Sequence, residues 1–172
     1  MGWKGAREAA KQYGGGGSGG MFVKLKDGDR ITVLFGGTPH ICRKHWDEGE
    51  GRSVHCDGGE CCDKHGPARS SYLSYCHDDK GNLMVWEMSH TLFEMISEEL
   101  EDEGFDSFVQ VKRKGERKNT RYSVTARGSA DKKQIGDLMA DVEESEPLTT
   151  LGGKPLGTAA NAAPLDDEDV PF

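Results

Sequence analysis

Residues 40–65, HICRKHWDEGEGRSVHCDGGECCDKH, hold four of the five cysteines and four of the six histidines of a 172-residue chain. Thiolate sulfur and imidazole nitrogen are the donors zinc takes in a closed tetrahedron, and pairs two to four residues apart on a tight turn can meet one ion. Cys56 and Cys61 are separated by four residues and Cys62 and His65 by two, with Gly58 and Gly59 available for the turn. The expected ligand set is His45, Cys56, Cys62 and His65. Cys61 competes with Cys62, and His40, Cys42 and His55 stand in reserve. Taken singly, each would read as a buried thiol or a surface histidine; the clustering carries the inference. A shell of two histidines and two thiolates is closed, which points to structural zinc. A catalytic zinc keeps a position open for water, usually beside a general base, and no residue is assigned a catalytic role.

The elements around the cluster must hold it. Residues 37–69 lose the alternation and read as a loop or small subdomain; the loop at about 40–66 has few apolar anchors and needs metal to be ordered. Before it, Phe22, Lys24 and Lys26 alternate with Val23 and Leu25, and Ile31, Val33 and Phe35 follow in phase after a DGD turn, which predicts two strands. RSSYLSYCHDD and NLMVWEM read as a hairpin, placing Cys76 and His77 in a strand. Thr91 and Glu94 suggest a capping box opening a helix, with His90 at its start, that ends at Gly104. FDSFVQVKRK and TRYSVTARG read as two further strands around a basic loop, and ADKKQIGDLMADV as a short second helix. The fold class expected is mainly β, small α+β: a five-stranded OB-like barrel with a zinc-binding insertion and one or two short helices. An SH3-like or other small barrel fits the strand count equally.

Three segments result. Residues 1–20 form a flexible arm and glycine linker, 21–143 a folded domain, and 144–172 a disordered acidic tail whose Gly, Ala, Thr and Pro content offers little to bury. GGGGSGG also has the composition of an engineered linker, with Met21 as an original start. No apolar run reaches the length of a membrane span and no secretory signal is evident, so a soluble intracellular protein is expected. An odd cysteine count beside histidines fits metal binding in a reducing compartment better than disulfides.

The net charge of −8 argues against a nucleic-acid partner until it is mapped: residues 141–172 carry −7 of it, leaving −1 on the rest. Between Lys112 and Arg127 there are seven bases and one acid. With Val109, Val111, Tyr122 and Val124 inward, Phe108, Lys112, Lys114, Arg121 and Arg127 point outward, flanking Arg117 and Lys118 in the loop. Phe22, Lys24 and Lys26 repeat the mix of base and aromatic that single strands need for phosphate contact and stacking. Arg43, Trp46, Arg69, Tyr72 and Tyr75 complete the candidate DNA-binding set. Trp86 and Tyr122 fit core packing better, and a basic face can also simply be solvated.

The chain ends LDDEDVPF: Asp166, Asp167, Glu168 and Asp169, then Val170, Pro171 and Phe172. This end resembles the acidic tip of bacterial-type single-stranded DNA-binding proteins. The order of parts from Met21 to about Val142 resembles the zinc-bearing helix-destabilising proteins of tailed phages, in which the zinc shell carries one His and three Cys. The resemblance implies a non-enzymatic, single-stranded DNA-binding protein that coats strands during phage DNA replication, recombination and repair in the cytoplasm of an infected bacterium. Residues Asp166 to Phe172 would recruit replication or recombination proteins, and the N-terminal arm would aid self-association along DNA. A zinc-dependent nuclease and a zinc-ribbon module binding RNA or protein are the alternative readings.

Overall fold

The computed structural model describes residues 22–56 and 58–149, with the backbone of Ala163–Pro164. Strand β1 (Arg30–Asp47) is followed by β2 (Arg52–His55), helix α1 (Glu60–His65), β3 (Arg69–Asp78), β4 (Leu83–Met88) and helix α2 (His90–Glu103). Then come β5 (Ser107–Lys114), β6 (Arg121–Ser129), helix α3 (Lys132–Glu144) and a two-residue β7 (Ala163–Pro164). The main path of the sheet is β4-β3-β1-β5-β6, all neighbours antiparallel, with β2 added to the end of β1. The mainly β, small α+β class is as expected. The sheet is open: β4 and β6 are the ends of that path, and among the described residues it does not close into a barrel.

Period-two alternation builds a core on each face. Ile31, Val33 and Phe35 of β1 join Val109, Val111, Trp86 and Met88 beneath Leu92, Ile96 and Leu100 of α2. On the other face, Leu34 and Leu138 of α3 pack together with Ala130, and Leu73, Tyr75 and Val85 form a neighbouring cluster with Leu148. His77, nearly fully buried, joins its Nε2 to Asp141 Oδ2 at 2.8 Å and so ties α3 to β3. A buried imidazole needs such a partner, because a lone one would lose its hydrogen bonds to water without replacement.

Four expectations are corrected here. Phe22–Lys26 is not a paired strand; a single bridge joins Phe22 to Val85. About half of the segment expected as a loop after residue 37 is strand, because β1 runs on to Asp47 through a bulge between Gly36 and His40, keeping its pairing with β3 to Lys44, and β2 folds back on it. His40, Arg43 and Lys44 there are half-buried while Ile41 is 49% exposed, so no hydrophobic alternation marks the strand. Helix α2 is capped by Ser89, whose Oγ accepts from Leu92 N at 3.3 Å, rather than by Thr91. The ordered chain also runs past Glu143: Tyr75 Oη donates to Glu146 O at 2.5 Å and Leu148 is buried.

Gly36 positions α3. A Cβ built there would lie 2.6 Å from Leu138 Cγ, so the helix sits where only glycine leaves room. Gly36→Ala is expected to cost about 1–3 kcal/mol of stability through overpacking. Urea denaturation should show an unchanged m value and a lower midpoint; an unaltered midpoint would mean that Leu138 moves aside freely.

Candidate metal centre and basic face

The metal-binding group is assembled by the β1–β2 hairpin and α1. Asp47 closes the hairpin turn: its Oδ1 accepts from Gly49 N at 2.9 Å and Glu50 N at 3.1 Å, and Gly51, at φ 62°, donates to Asp47 O. The Glu50 hydrogen bond, with that of Gly49, holds the Asp47 carboxyl below the usual carboxylate range. This turn sets β2 beside β1, with Val54 opposite His45. Cys56 then leaves β2, its N–H bonded to Arg43 O at 2.8 Å. Helix α1 brings Cys61 and Cys62 in on its first turn.

The donor atoms of His45, Cys56, Cys61 and Cys62 all lie within 4.8 Å of one another. Cys56 Sγ is 3.5 Å from Cys62 Sγ and 3.6 Å from Cys61 Sγ, and Cys62 Sγ is 3.7 Å from His45 Nε2. A tetrahedral ion with metal–sulfur bonds of ~2.3 Å has sulfur–sulfur edges of ~3.8 Å. The spacing of the four donors is thus close to a coordination shell. His45 is 2% exposed, and contact with the Cys56 thiol, then burial and the Cys61 thiol, push the Cys62 thiol up to about 11, so that it favours its protonated form. A divalent ion reverses that preference, because it stabilises the thiolates directly.

The expected ligand set changes in one member. His65 Nε2 lies 3.8 Å from Asp47 Oδ2 and its ring packs 5.7 Å from that of His45, outside the donor group. Cys61 takes its place, so the group is one His and three Cys. The competition expected between Cys61 and Cys62 does not arise, since adjacent residues at a helix start diverge by only about 100° and both sulfurs reach one point. Asp47, not singled out from the sequence, has a visible signal in its Asx-turn position before Gly49. Of the reserve residues, Cys42 is buried against Leu73 and Tyr75, and burial pushes its thiol up to about 11. His55, paired with Lys44 across the hairpin, has its imidazole held down chiefly by burial. Cys76 lies wholly in the core.

A second feature is a basic face. Pairing sets Arg30 opposite Lys112, Thr32 opposite Gln110, Lys112 opposite Ser123 and Lys114 opposite Arg121. Arg127 joins them through its hydrogen bond to Gln110 Oε1. Arg30, Lys112, Lys114, Arg121 and Arg127 are exposed, and none of these paired positions carries an acid. Arg117 and Lys118 are exposed in the connecting turn, where Arg117 takes φ 50°. Arg113, on the other face, instead binds Leu25 O and Thr120 Oγ1, fastening the segment that precedes β1. Lys24 and Lys26 are exposed, and Arg43 and Arg69 are half-buried.

Most nominated aromatics serve the core. Tyr75 is 2% exposed. Tyr72 stacks on Phe93 at 4.1 Å with its hydroxyl 2.9 Å from His90 Nδ1, and Phe22 packs on the cluster around Leu73. Phe108 lies on the same side as Lys112 but is covered by α3, against Leu34 and Leu138. Of these four, Tyr75 is buried, and Phe22, Tyr72 and Phe108 are half-buried against the core clusters. Trp86 is core, stacked on Phe35, as expected. Trp46, 43% exposed, is the nominated aromatic that stands open to solvent.

The terminal residues Asp166 to Phe172 and the arm at 1–20 lie outside the described residues. No helix among the described residues is long and apolar enough to cross a membrane. Set against known proteins, the chain matches no family model, no curated protein and no solved structure.

Proposed function

We propose that this protein binds single-stranded DNA without catalysis and that His45, Cys56, Cys61 and Cys62 hold a structural zinc ion. The observation that carries the reading is the exposed face of Arg30, Lys112, Lys114, Arg121 and Arg127, free of acids at its paired positions. Cations at strand spacing suit a phosphate backbone, and their side chains release counterions from it on binding. Trp46, at the far end of β1, is the residue suited to stacking on a base. For the metal, three sulfurs and one imidazole favour zinc over hard cations, and four protein donors leave no position for a reacting water.

Binding would be stoichiometric, shifting duplex melting by mass action because the unpaired strand is preferred. Roles in phage replication, recombination and repair rest on the terminal DDEDVPF and on the layout of the chain, as do self-association along the strand and recruitment of partner enzymes. A fluorescence titration with oligo-dT and with a matching duplex tests the proposal; equal affinity for the two would sink it. In the same assay Trp46→Ala is expected to lose about 1–3 kcal/mol, the worth of one stacked base. Deleting Val170 to Phe172 should leave oligo-dT affinity intact while abolishing partner capture, and loss of DNA binding would contradict this division. Labelled single strands incubated with zinc-loaded protein should remain uncut, which separates the reading from a nuclease.

A further inference from the structure

A cavity of about 600 Å³ opens where the sheet splits, between the β1 bulge, α2 and α3. β1 pairs with β5 only from Arg30 to Val33, so beyond Val33 the two strands part and side chains from both faces reach the gap. Leu34, Phe35, Met88, Ile96, Leu100 and Leu138 make it apolar. Phe105 and Met139 also line it while remaining 69% and 40% exposed, two of the four large hydrophobic side chains that the described residues leave in solvent. Exposed apolar surface gathered around one concavity marks a contact site, whereas scattered residues would not.

The border of this cavity is acidic. Asp106 lines it, and the exposed Glu94 and Glu101 lie three residues before and four residues after Ser97, a lining residue of α2. Lys132, three residues before Ile135, is the opposing charge on the α3 side. An occupant therefore needs an apolar anchor and net positive charge. The acids at 166–169 have the wrong sign. Residues 3–13, WKGAREAAKQY, have the right one: Lys4, Arg7 and Lys11 against Glu8, with Trp3 and Tyr13 as anchors. These residues lie outside the described part of the chain, which begins at Phe22, bridged to Val85 of β4.

Reach is not limiting. Eight residues, seven of them GGGGSGG, separate Tyr13 from Phe22; as a flexible chain the nine steps between the two would span about 15–18 Å. Along β4, Val85 to the cavity residue Met88 is only about 10 Å.

We propose that this cavity is the docking site of residues 3–13, with an aromatic anchor in the apolar gap and Lys4, Arg7 and Lys11 against Glu94, Glu101 and Asp106. The docking does not depend on nucleic acid, so it is tested without any. Carbodiimide cross-linking of the full chain joins lysines only to carboxylates in contact, and peptide mapping identifies the pairs. Lys4 or Lys11 should be joined to Glu94, Glu101 or Asp106. The yield should fall about tenfold in Trp3→Ala and in the double variant Phe105→Ser, Met139→Ser, as loss of a buried anchor does elsewhere. The latter two side chains are exposed, so the fold survives their change. Linked product of monomer mass means that the segment folds back on its own chain, and dimer mass that a second copy donates it; both uphold the site. Linkage of Lys4 and Lys11 to Asp166–Asp169 instead, or to α2 with undiminished yield in both variants, overturns it.

Discussion

Removing the metal is expected to unfold the β1–β2 hairpin tip and α1 while leaving the rest of the sheet in place. The purified protein should carry one zinc per chain, and Cys62→Ser should weaken zinc binding by more than about a hundredfold, since even residues that merely orient ligands are worth about 10–100-fold. The reason lies in what holds residues 44–65 together. Neither α1 nor β2 contains a fully buried apolar residue, and the three core clusters on the two faces of the sheet draw nothing from either. With the ion gone, three thiols and an imidazole at mutual distances under 4.8 Å have no cation to share. Hydrogen exchange after chelation should show protection lost over residues 44–65 and kept over β3 to β6. Affinity should fall as pH falls, because the thiols must shed protons to bind the ion. Full protection of residues 44–65 in the chelated protein would show that the hairpin stands without metal.

Neutralising Lys112 and Arg121 together is expected to cost about a hundredfold in affinity for oligo-dT, taking about 1.5 kcal/mol for each hydrogen bond to a charged group. The diagnostic is the salt dependence. Each lost phosphate contact on a single strand should flatten the slope of log affinity against log salt by about 0.7, so Lys112→Gln with Arg121→Gln should flatten it by about 1.4. Both side chains are exposed and neither enters a core cluster, so stability should stay within about 0.5 kcal/mol of the parent. An unchanged slope would remove this face from the binding surface and leave Trp46 and its neighbours as the remaining place to look.

Much of this molecule was legible from local pattern. The β3–β4 hairpin, β5, β6, α2 with its glycine stop at Gly104 and α3 are written in runs of residues that interact with near neighbours. The capping box of α3, in which Asp131 Oδ1 accepts from Gln134 N at 2.8 Å, is of that kind. So is the gathering of cysteines and histidines, since ligands close in sequence are close in space whatever the fold.

What the tertiary structure decided was which side chains meet and which faces stay open. Cys61 displaced His65 because a helix, rather than a loop, begins at Glu60 and turns both adjacent sulfurs to one point. Phe108 and Lys112 share a side of β5, yet one is covered by α3 and the other is solvated. Tyr75 is buried, and Tyr72 and Phe22 are half-buried against the core, because α2, Glu146 and Leu148 arrive from elsewhere in the chain. The opening of the sheet between β1 and β5 has the same origin. Alternation states that a strand has two faces; only the packing of distant elements determines which face is covered, and it is coverage that separates a core aromatic from one a base could stack on.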